Sequence, residues 1–263
     1  MVNSQVALSM YALADCNNFF VSCERVFEPQ LENRPVMVLS NNDGCVVARS
    51  QEVKAIGIGM GEPVFKCQKI IERHNIVVRS SNFALYGDMS SRIMHTLRLF
   101  TPDVEVYSID EAFLDLTGLT GRNVMHEMQR MRATVLQWTG IPISIGIGPT
   151  KTLARLANHY AKYRASSGGV ARIPSEEEDR NDMLREVDVG DIWGVGRRWS
   201  KKLHDMGIHT ALDLTEIDGS LIRDAFNVVA LRTVLELRGH RCFYLEQSPE
   251  QRKTMVRSRS FGG

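Results

Sequence analysis

The stretch that decides the fold reads Tyr-Ser-Ile-Asp-Glu-Ala-Phe-Leu-Asp-Leu and occupies residues 107–116. Apolar residues dominate it, as in a buried strand, yet Asp110 and Glu111 interrupt the run. Acids among strand residues are costly to bury unless they are paired or bind a metal. Because neighbours in a strand point to opposite faces, both acids can serve one site only where the chain turns, as at a hairpin tip.

A third acid closes another apolar run. Residues 11–14 predict a short buried strand, and Asp15 follows it directly. Three carboxylates together would suit a hard cation such as Mg²⁺, and two such ions form the usual clamp for phosphoryl transfer. The alternative is that all three are exposed turn acids, and spacing alone favours that alternative because paired acids are common.

Strands and helices interleave over the first 165 residues, which predicts an α/β or α+β fold there. The remainder is predicted to be mainly helical. Residues 124–139 carry an apolar stripe at helical spacing, and residues 150–163 predict a helix rich in alanine, leucine and basic residues. An acidic linker is expected next, followed by two short helices around Gly194-Val195-Gly196.

Composition excludes several classes of protein. The 263 residues are 43% hydrophobic and 24% charged with a net charge of +1, which is unlike a disordered chain. Nothing in the sequence resembles a membrane span or a signal peptide, and the five cysteines are odd in number without a C-x-x-C pair. We therefore expect reduced thiols, a cytoplasmic location and no membrane association.

The small net charge is the sum over segments that carry opposite charge. Residues 122–172 contain eight basic residues and one acid, whereas residues 176–191 contain eight acids and two basic residues. Such blocks can place positive potential on one face of a nearly neutral protein. A solvated charged surface is the simpler interpretation of the charge pattern alone.

Three motifs together resemble the Y-family, or translesion, DNA polymerases, in their UmuC-like branch. The resemblance extends from about residue 10 to residue 263, with the motifs in the order that the family has them. The motifs are DCNNFFVSCE at residues 15–24, VLSNNDGCVVARS at 38–50 and YSIDEAFLDL at 107–116.

The resemblance implies an α+β fold: a ferredoxin-like palm with an inserted small fingers subdomain, then a mainly helical thumb with a helix-hairpin-helix element. It also implies that the chain ends before the family's C-terminal little-finger domain. The expected divisions are an N-terminal extension (1–9), palm (10–27), fingers (28–82), palm (83–172), thumb (173–247) and a linker toward the absent little finger (248–263).

The family's catalytic and metal-binding carboxylates correspond to Asp15, Asp110 and Glu111, and the backbone carbonyl of Cys16 corresponds to a further metal ligand. The implied cofactor is Mg²⁺, two ions in each active site. Phe20 matches the steric gate, an aromatic ring that leaves no room for a 2′-hydroxyl and so selects deoxynucleotides by exclusion.

The remaining implied site residues contact the nucleotide or the DNA. Taken alone, the lysines among them would be read as surface residues and Gly-Val-Gly as a plain turn. Gln51 stands where many relatives have a tyrosine, which leaves its contact in doubt. The nucleotide-binding set also includes Phe20, and its other members are Asn17, Asn18, Phe19, Gln51, Lys54 and Lys162. The DNA-binding set is Gly194, Gly196, Arg197, Arg198, Lys201 and Lys202.

The implied function is template-directed, error-prone DNA synthesis in damage tolerance and the SOS response. The expected partners are primer-template DNA and dNTP, with a UmuD-type dimer and a RecA filament as further partners of the family. Two alternatives stay open: a nucleotidyl cyclase, which also uses a two-metal palm, and a truncated polymerase that is weakly active or only binds DNA or partners.

Overall fold

A computed structural model describes residues 10–119 and 123–246, so the predicted N-terminal extension (1–9) and terminal linker (248–263) lie outside the described residues. The chain divides into two compact units. Among the described residues, unit one contains 10–15, 97–132 and 143–246, and unit two contains 16–96 and 133–142. The divisions into palm, fingers and thumb stay predictions.

The described residues form a mixed α+β fold, which confirms the predicted class. The strands are β1 (Tyr11–Cys16), β2 (Val36–Leu39), β3 (Val46–Arg49), β4 (Val77–Ser80), β5 (Val104–Val106), β6 (Glu111–Asp115), β7 (Ile143–Gly148) and β8 (Val170–Arg172). The α-helices are α1 (Phe19–Phe27), α2 (Gln51–Ile56), α3 (Val64–His74), α4 (Phe83–Arg98), α5 (Val124–Thr139), α6 (Lys151–Tyr163), α7 (Glu177–Arg185), α8 (Arg197–Asp205), α9 (Ala211–Glu216), α10 (Gly219–Ala225) and α11 (Val228–Leu237). Among the described residues, no helix combines the length and apolar character needed to cross a membrane.

Unit one is built on a five-stranded sheet with the strand order β5-β6-β1-β7-β8. Strand β6 pairs antiparallel with both β5 and β1, and β7 pairs parallel with β8. The predicted turn within residues 107–116 is therefore confirmed, because the chain reverses between β5 and β6. The antiparallel pairing of β6 with β1 places the end of β1 beside the start of β6.

Helix α6 lies unusually close to β7. A Cβ atom on Gly146 would meet the backbone N of Asn158 at 2.0 Å, and one on Gly148 would meet the backbone N of Ala154 at 2.7 Å. Only glycine permits this approach. The Asn158 amide, which is buried, donates to the carbonyl oxygens of Leu13 (3.3 Å) and Ser144 (2.8 Å). These bonds fix α6, with its basic side chains, against the central strands.

The C-terminal part of unit one is helical, as predicted. One apolar core joins α6 to the helices that follow it, from Leu153 to Leu237. The predicted acidic linker is wrong, because residues 177–185 form helix α7. Its buried Met183 and Leu184 belong to that core while its acids remain in solvent, so two apolar anchors stabilise a helix with an otherwise polar sequence.

Unit two contains a three-stranded sheet with the order β3-β2-β4. Strand β2 pairs antiparallel with β3 and parallel with β4. The core of this unit includes Met37, Val46, Val53 and Cys67. Asn18 precedes α1 in the left-handed conformation (φ 47°), which asparagine tolerates better than most residues.

Candidate active site

The centre of the site is a pair of carboxylates on neighbouring strands. Asp15 of β1 and Glu111 of β6 are directly opposite each other in the antiparallel ladder. Opposed residues project to the same face of a sheet, with Cβ atoms about 5 Å apart. Asp15 is only 7% exposed. The structure thus brings together two of the three predicted catalytic acids, although 96 positions of sequence separate them.

Asp110 occupies the turn that leads into β6. Its carboxylate Oδ1 accepts a hydrogen bond from the Ser108 hydroxyl (2.7 Å), and the backbone N–H groups of Tyr107 and Ser108 donate to the Glu111 carbonyl. These hydrogen bonds form the hairpin tip, which is the kind of turn that two adjacent acids need if both are to serve one site. Asp110 does not belong to the lining of the cavity that holds Asp15 and Glu111.

Helix α6 supplies a cation to each of the paired carboxylates. Lys162 Nζ lies 2.6 Å from Asp15 Oδ2. Arg155 binds Glu111 with both ends of its guanidinium group, at 3.1 Å from Nη1 to Oε1 and 2.7 Å from Nη2 to Oε2. A bidentate pair of this kind fixes orientation as well as charge.

These four side chains line a cavity of about 260 Å³ that lies entirely within unit one. Sequence reasoning identified neither Arg155 nor His159 as a site residue, although both are in the lining. A signal for Arg155 was present, because it precedes Lys162 by seven residues and two helical turns return a side chain to the same face. The other lining residues are Thr152, Leu156, Asn158, Tyr163, Val187, Asp191, Ile192 and Trp193.

The two acids titrate differently because their surroundings differ. Burial raises the pKa of Asp15 to about 7, despite the opposing effect of the Lys162 ammonium group. Burial also favours the neutral form of Glu111, but the hydrogen bonds and charge of Arg155 outweigh it and lower the pKa of Glu111. At neutral pH and without a further cation, the site therefore holds Glu111 ionised and Asp15 near the midpoint of its titration.

This difference predicts a pH-dependent stability. The pKa of Asp15 is about 7 in the folded protein, against about 3.9 in an unfolded chain, so the folded state binds more protons between these values. The Asp15 contribution to stability is therefore lost as pH rises from about 4 to 7. In urea unfolding with EDTA, Asp15→Asn should gain stability relative to wild type across this range. A difference independent of pH would contradict the shift.

The donor set suits a hard divalent cation. Asp15 and Glu111 offer carboxylate oxygens, the ligands that Mg²⁺ prefers. Within residues 10–119 and 123–246, however, no three histidine, cysteine, aspartate or glutamate side chains converge closely enough to hold a metal. Lys162 and Arg155 neutralise the two acids in this structure.

The residues predicted to bind the nucleotide lie in unit two, apart from Lys162. The Lys54 ammonium group donates to Asn18 Oδ1 at 2.7 Å, so the structure brings two of them together. Gln51, at the start of α2, is exposed, and the Asn17 N–H donates to the Pro142 carbonyl at 2.8 Å. Phe19 is only 3% exposed, so it offers little surface to a ligand.

Phe20 is held in a fixed orientation. Its ring stacks on that of Tyr86, with centroids 4.2 Å apart and planes 12° from parallel, and the ring of Phe83 meets it edge-on. Tyr86 is fully buried, and its hydroxyl donates to Glu24 Oε1 at 2.6 Å. This support makes Phe20 a rigid, half-exposed wall of unit two.

The predicted DNA-binding hairpin is only partly available for binding. Helix α8 starts at Arg197, directly after Gly196, and its side chains Arg197 and Arg198 are exposed. Lys202 donates to the Ala225 carbonyl and lies over the Phe226 ring at 4.7 Å, so it binds its own protein. Lys201 pairs with Asp205 at 2.8 Å on the exposed surface. A short 3₁₀ turn at Val189–Asp191, rather than an α-helix, precedes the glycines.

Comparison with known proteins identifies relatives along nearly the whole chain. The chain is 51% identical to "Protein UmuC" of Salmonella typhimurium over 255 residues, which are 96% of this chain and 60% of that protein. It is 29% identical to "DNA polymerase IV" of Pelotomaculum thermopropionicum, covering 95% of this chain and 60% of the relative. The chain thus spans about 60% of the length of these curated relatives.

The fold also matches solved structures. "Insertion ternary complex of Dbh DNA polymerase" aligns with a TM-score of 0.78 at 24% identity, covering 90% of this chain and 69% of the other. "Crystal Structure of DinB from Sulfolobus solfataricus" aligns with a TM-score of 0.75 at 24% identity, covering 87% and 66%. The sequence model of the impB/mucB/samB family matches residues 14–159, a segment that contains both paired carboxylates and Arg155, whereas Lys162 lies just beyond it. Because this match extends over more than half of the chain, the protein belongs to the impB/mucB/samB family.

Proposed function

We propose that this protein is the catalytic part of a template-directed DNA polymerase of the translesion type. The reaction transfers a deoxynucleoside monophosphate from a dNTP to a primer 3′-hydroxyl and releases pyrophosphate. One observation carries the proposal: Asp15 and Glu111 face each other across two strands, in a cavity lined by cations, within a chain of the impB/mucB/samB family.

The paired acids are the groups that would hold Mg²⁺. When bound, the metal would neutralise charge on the reacting phosphates, which is the main requirement of phosphoryl transfer. Asp15 and Glu111 would supply carboxylate oxygens, and the roles of Asp110 and of the Cys16 carbonyl rest on the family resemblance alone. Two ions per site also stay part of this proposal.

Lysine side chains would stabilise the negative charge of the triphosphate. Lys162 brings positive charge to Asp15, and in the proposed reaction its ammonium group would stabilise the triphosphate and the leaving pyrophosphate. Lys54 and Asn18 of unit two, which hydrogen-bond to each other, are assigned to the triphosphate by the same resemblance. Gln51 belongs to this assignment by its position only, because many relatives have a tyrosine there.

We assign to Phe20 the selection of deoxynucleotides over ribonucleotides. Its support by Tyr86 suits a steric gate, since a ring held by stacking cannot move aside for a 2′-hydroxyl. We expect Phe20→Ala to raise the efficiency of ribonucleotide insertion relative to deoxynucleotide insertion on the order of 100-fold. The measurement is single-nucleotide kcat/KM with dCTP and CTP. Phe65→Ala removes an exposed phenylalanine of the same unit and should leave the ratio unchanged. An unchanged ratio in Phe20→Ala would exclude the gate.

The proposed partners follow from the reaction. Primer-template DNA is the polymeric substrate, and the exposed Arg197 and Arg198 would bind its phosphates without reading sequence. A role in damage tolerance and the SOS response, with a UmuD-type dimer and a RecA filament as partners, is carried over from the family and belongs to the same proposal.

A primer-extension assay tests the function. The protein is incubated with Mg²⁺, a labelled primer on each of four templates that differ in the templating base, and one dNTP at a time. We expect extension chiefly with the complementary dNTP. Extension that ignores the template, or a cyclic product from NTP without primer, would contradict a template-directed polymerase.

A further inference from the structure

Arg155 is bound on two sides. One edge of its guanidinium group forms the bidentate pair with Glu111, at 2.7 and 3.1 Å. Three aromatic rings lie around the group, with its central carbon 5.2 Å from the centroid of Tyr107, 5.3 Å from that of Trp193 and 5.8 Å from that of Phe113. A guanidinium group that is bound by a carboxylate and packed among rings has few alternative rotamers. It can therefore fix the orientation of the carboxylate that it binds.

Trp193 connects this arrangement to the hairpin. It directly precedes Gly194, and its indole N–H donates to the Tyr107 hydroxyl at 3.3 Å. The indole also packs on the fully buried Phe113, with centroids 5.7 Å apart, and on Phe243 at 5.5 Å. A displacement of the residues around Gly194 would therefore move one wall of the Arg155 binding site.

We propose that Arg155 is the positioning residue for Glu111, and that Trp193 couples the conformation of the hairpin at residues 191–196 to that carboxylate. The inference rests on the proposed function insofar as Glu111 is catalytic. It deepens that function, because contact of the hairpin with DNA would then bear on the position of a catalytic group 80 residues earlier in the chain.

The chemistry requires arginine at this position. A planar guanidinium group can donate two parallel hydrogen bonds to a carboxylate while it packs against aromatic rings, whereas a lysine ammonium group offers a point charge without the plane. Lysine would keep the charge beside Glu111 but release its orientation. Substitution by lysine therefore separates the role of the charge from the role of the orientation.

Steady-state kinetics of single-nucleotide insertion provide the first test. We expect Arg155→Ala to lower kcat about 10- to 100-fold with KM for dNTP changed by less than about threefold, as for other groups that orient a catalytic residue. Arg155→Lys should recover part of the loss, and Trp193→Ala should lose more than Trp193→Phe. The matched control is Arg130→Ala, since Arg130 also pairs with a glutamate, Glu127, and lies 5.2 Å from a ring, that of Phe100.

Fluorescence provides a test that does not require activity. Trp193 is the sole tryptophan in a Trp138→Phe/Trp199→Phe background. In this background, Glu111→Gln and Arg155→Ala should each shift the emission maximum or intensity of Trp193, because each releases the guanidinium group from the indole. Glu127→Gln should not. Urea-unfolding midpoints recorded for each variant separate a local change from loss of the fold.

The outcomes are distinct. If Glu111→Ala is inactive while Arg155→Ala and Trp193→Ala stay within twofold of wild type, the positioning role is overturned and the polymerase stands. If neither Glu111→Gln nor Arg155→Ala changes the emission maximum or intensity of Trp193, the coupling is overturned. If the wild-type protein does not extend primers, the proposed function fails, and the fluorescence result alone decides whether Trp193, Arg155 and Glu111 form one network.

Discussion

Glu111→Ala should abolish primer extension, with a loss of at least about 10³-fold in the rate of single-nucleotide insertion. The substitution removes one of the two paired carboxylates and leaves Arg155 without its acidic partner in the cavity, while Lys162 still pairs with Asp15. Positive charge without the carboxylate would repel a divalent cation, so positioning and charge neutralisation fail together. Quantifying labelled primer after a single turnover measures the loss. Glu111→Gln removes the charge but keeps the side-chain volume, so it separates the two effects.

The chain offers a closely matched control. Glu127 has the same side-chain exposure as Glu111, 17%, and also pairs with an arginine, but it lies on α5. Glu127→Ala should keep insertion within about twofold of wild type, as expected away from the site. Equal losses in the two variants would mean that the effect comes from the removal of a half-buried acid, and Glu111 would then have no catalytic role.

Lys151→Met should destabilise the protein by about 3–5 kcal/mol. Lys151 is 4% exposed, and its ammonium group lies 2.7 and 2.8 Å from the two oxygens of the Glu105 carboxylate and 4.6 Å from the Phe113 ring. Methionine fills similar volume but leaves Glu105 buried without its cation. Urea unfolding followed by circular dichroism gives the change in the free energy of unfolding.

Two further variants identify the cause. Lys201→Met removes a lysine from an exposed pair with Asp205 and should change stability by less than about 1 kcal/mol. Glu105→Gln/Lys151→Met should recover part of the loss, because the uncompensated charge is gone. A loss below about 1 kcal/mol in Lys151→Met, or a double variant no more stable than the single one, would contradict a buried ion pair that matters for folding.

The paired carboxylates were accessible to sequence reasoning because each has a local signature. Asp15 ends an apolar strand, and Asp110 and Glu111 interrupt another, so a shared site required a turn there, although spacing alone favoured exposed turn acids. The mixed α+β fold followed from the alternation of strand and helix patterns. The family resemblance then supplied the expected role of these acids. The family is confirmed, and the catalytic role stays a prediction.

Other features depend on partners that are remote in sequence. Arg155 resembles a solvated basic residue until Glu111, 44 positions earlier, is placed beside it. Lys151 is likewise indistinguishable from a surface lysine without Glu105. Helix α7 was mistaken for a linker because its acids outnumber its apolar residues, and its burial of Met183 and Leu184 depends on helices further along the chain. Tertiary packing, rather than local preference, decides such positions.

The central claim is that Asp15 and Glu111 act as one catalytic unit. Single-turnover insertion of one dNTP by Asp15→Asn, Glu111→Gln and the double variant, at saturating Mg²⁺ and with equal folded fractions, tests this claim most directly. Because groups that act together are not additive, each single variant should lose nearly as much activity as the double variant. Losses that multiply, or either single variant within twofold of wild type, would contradict a shared catalytic centre.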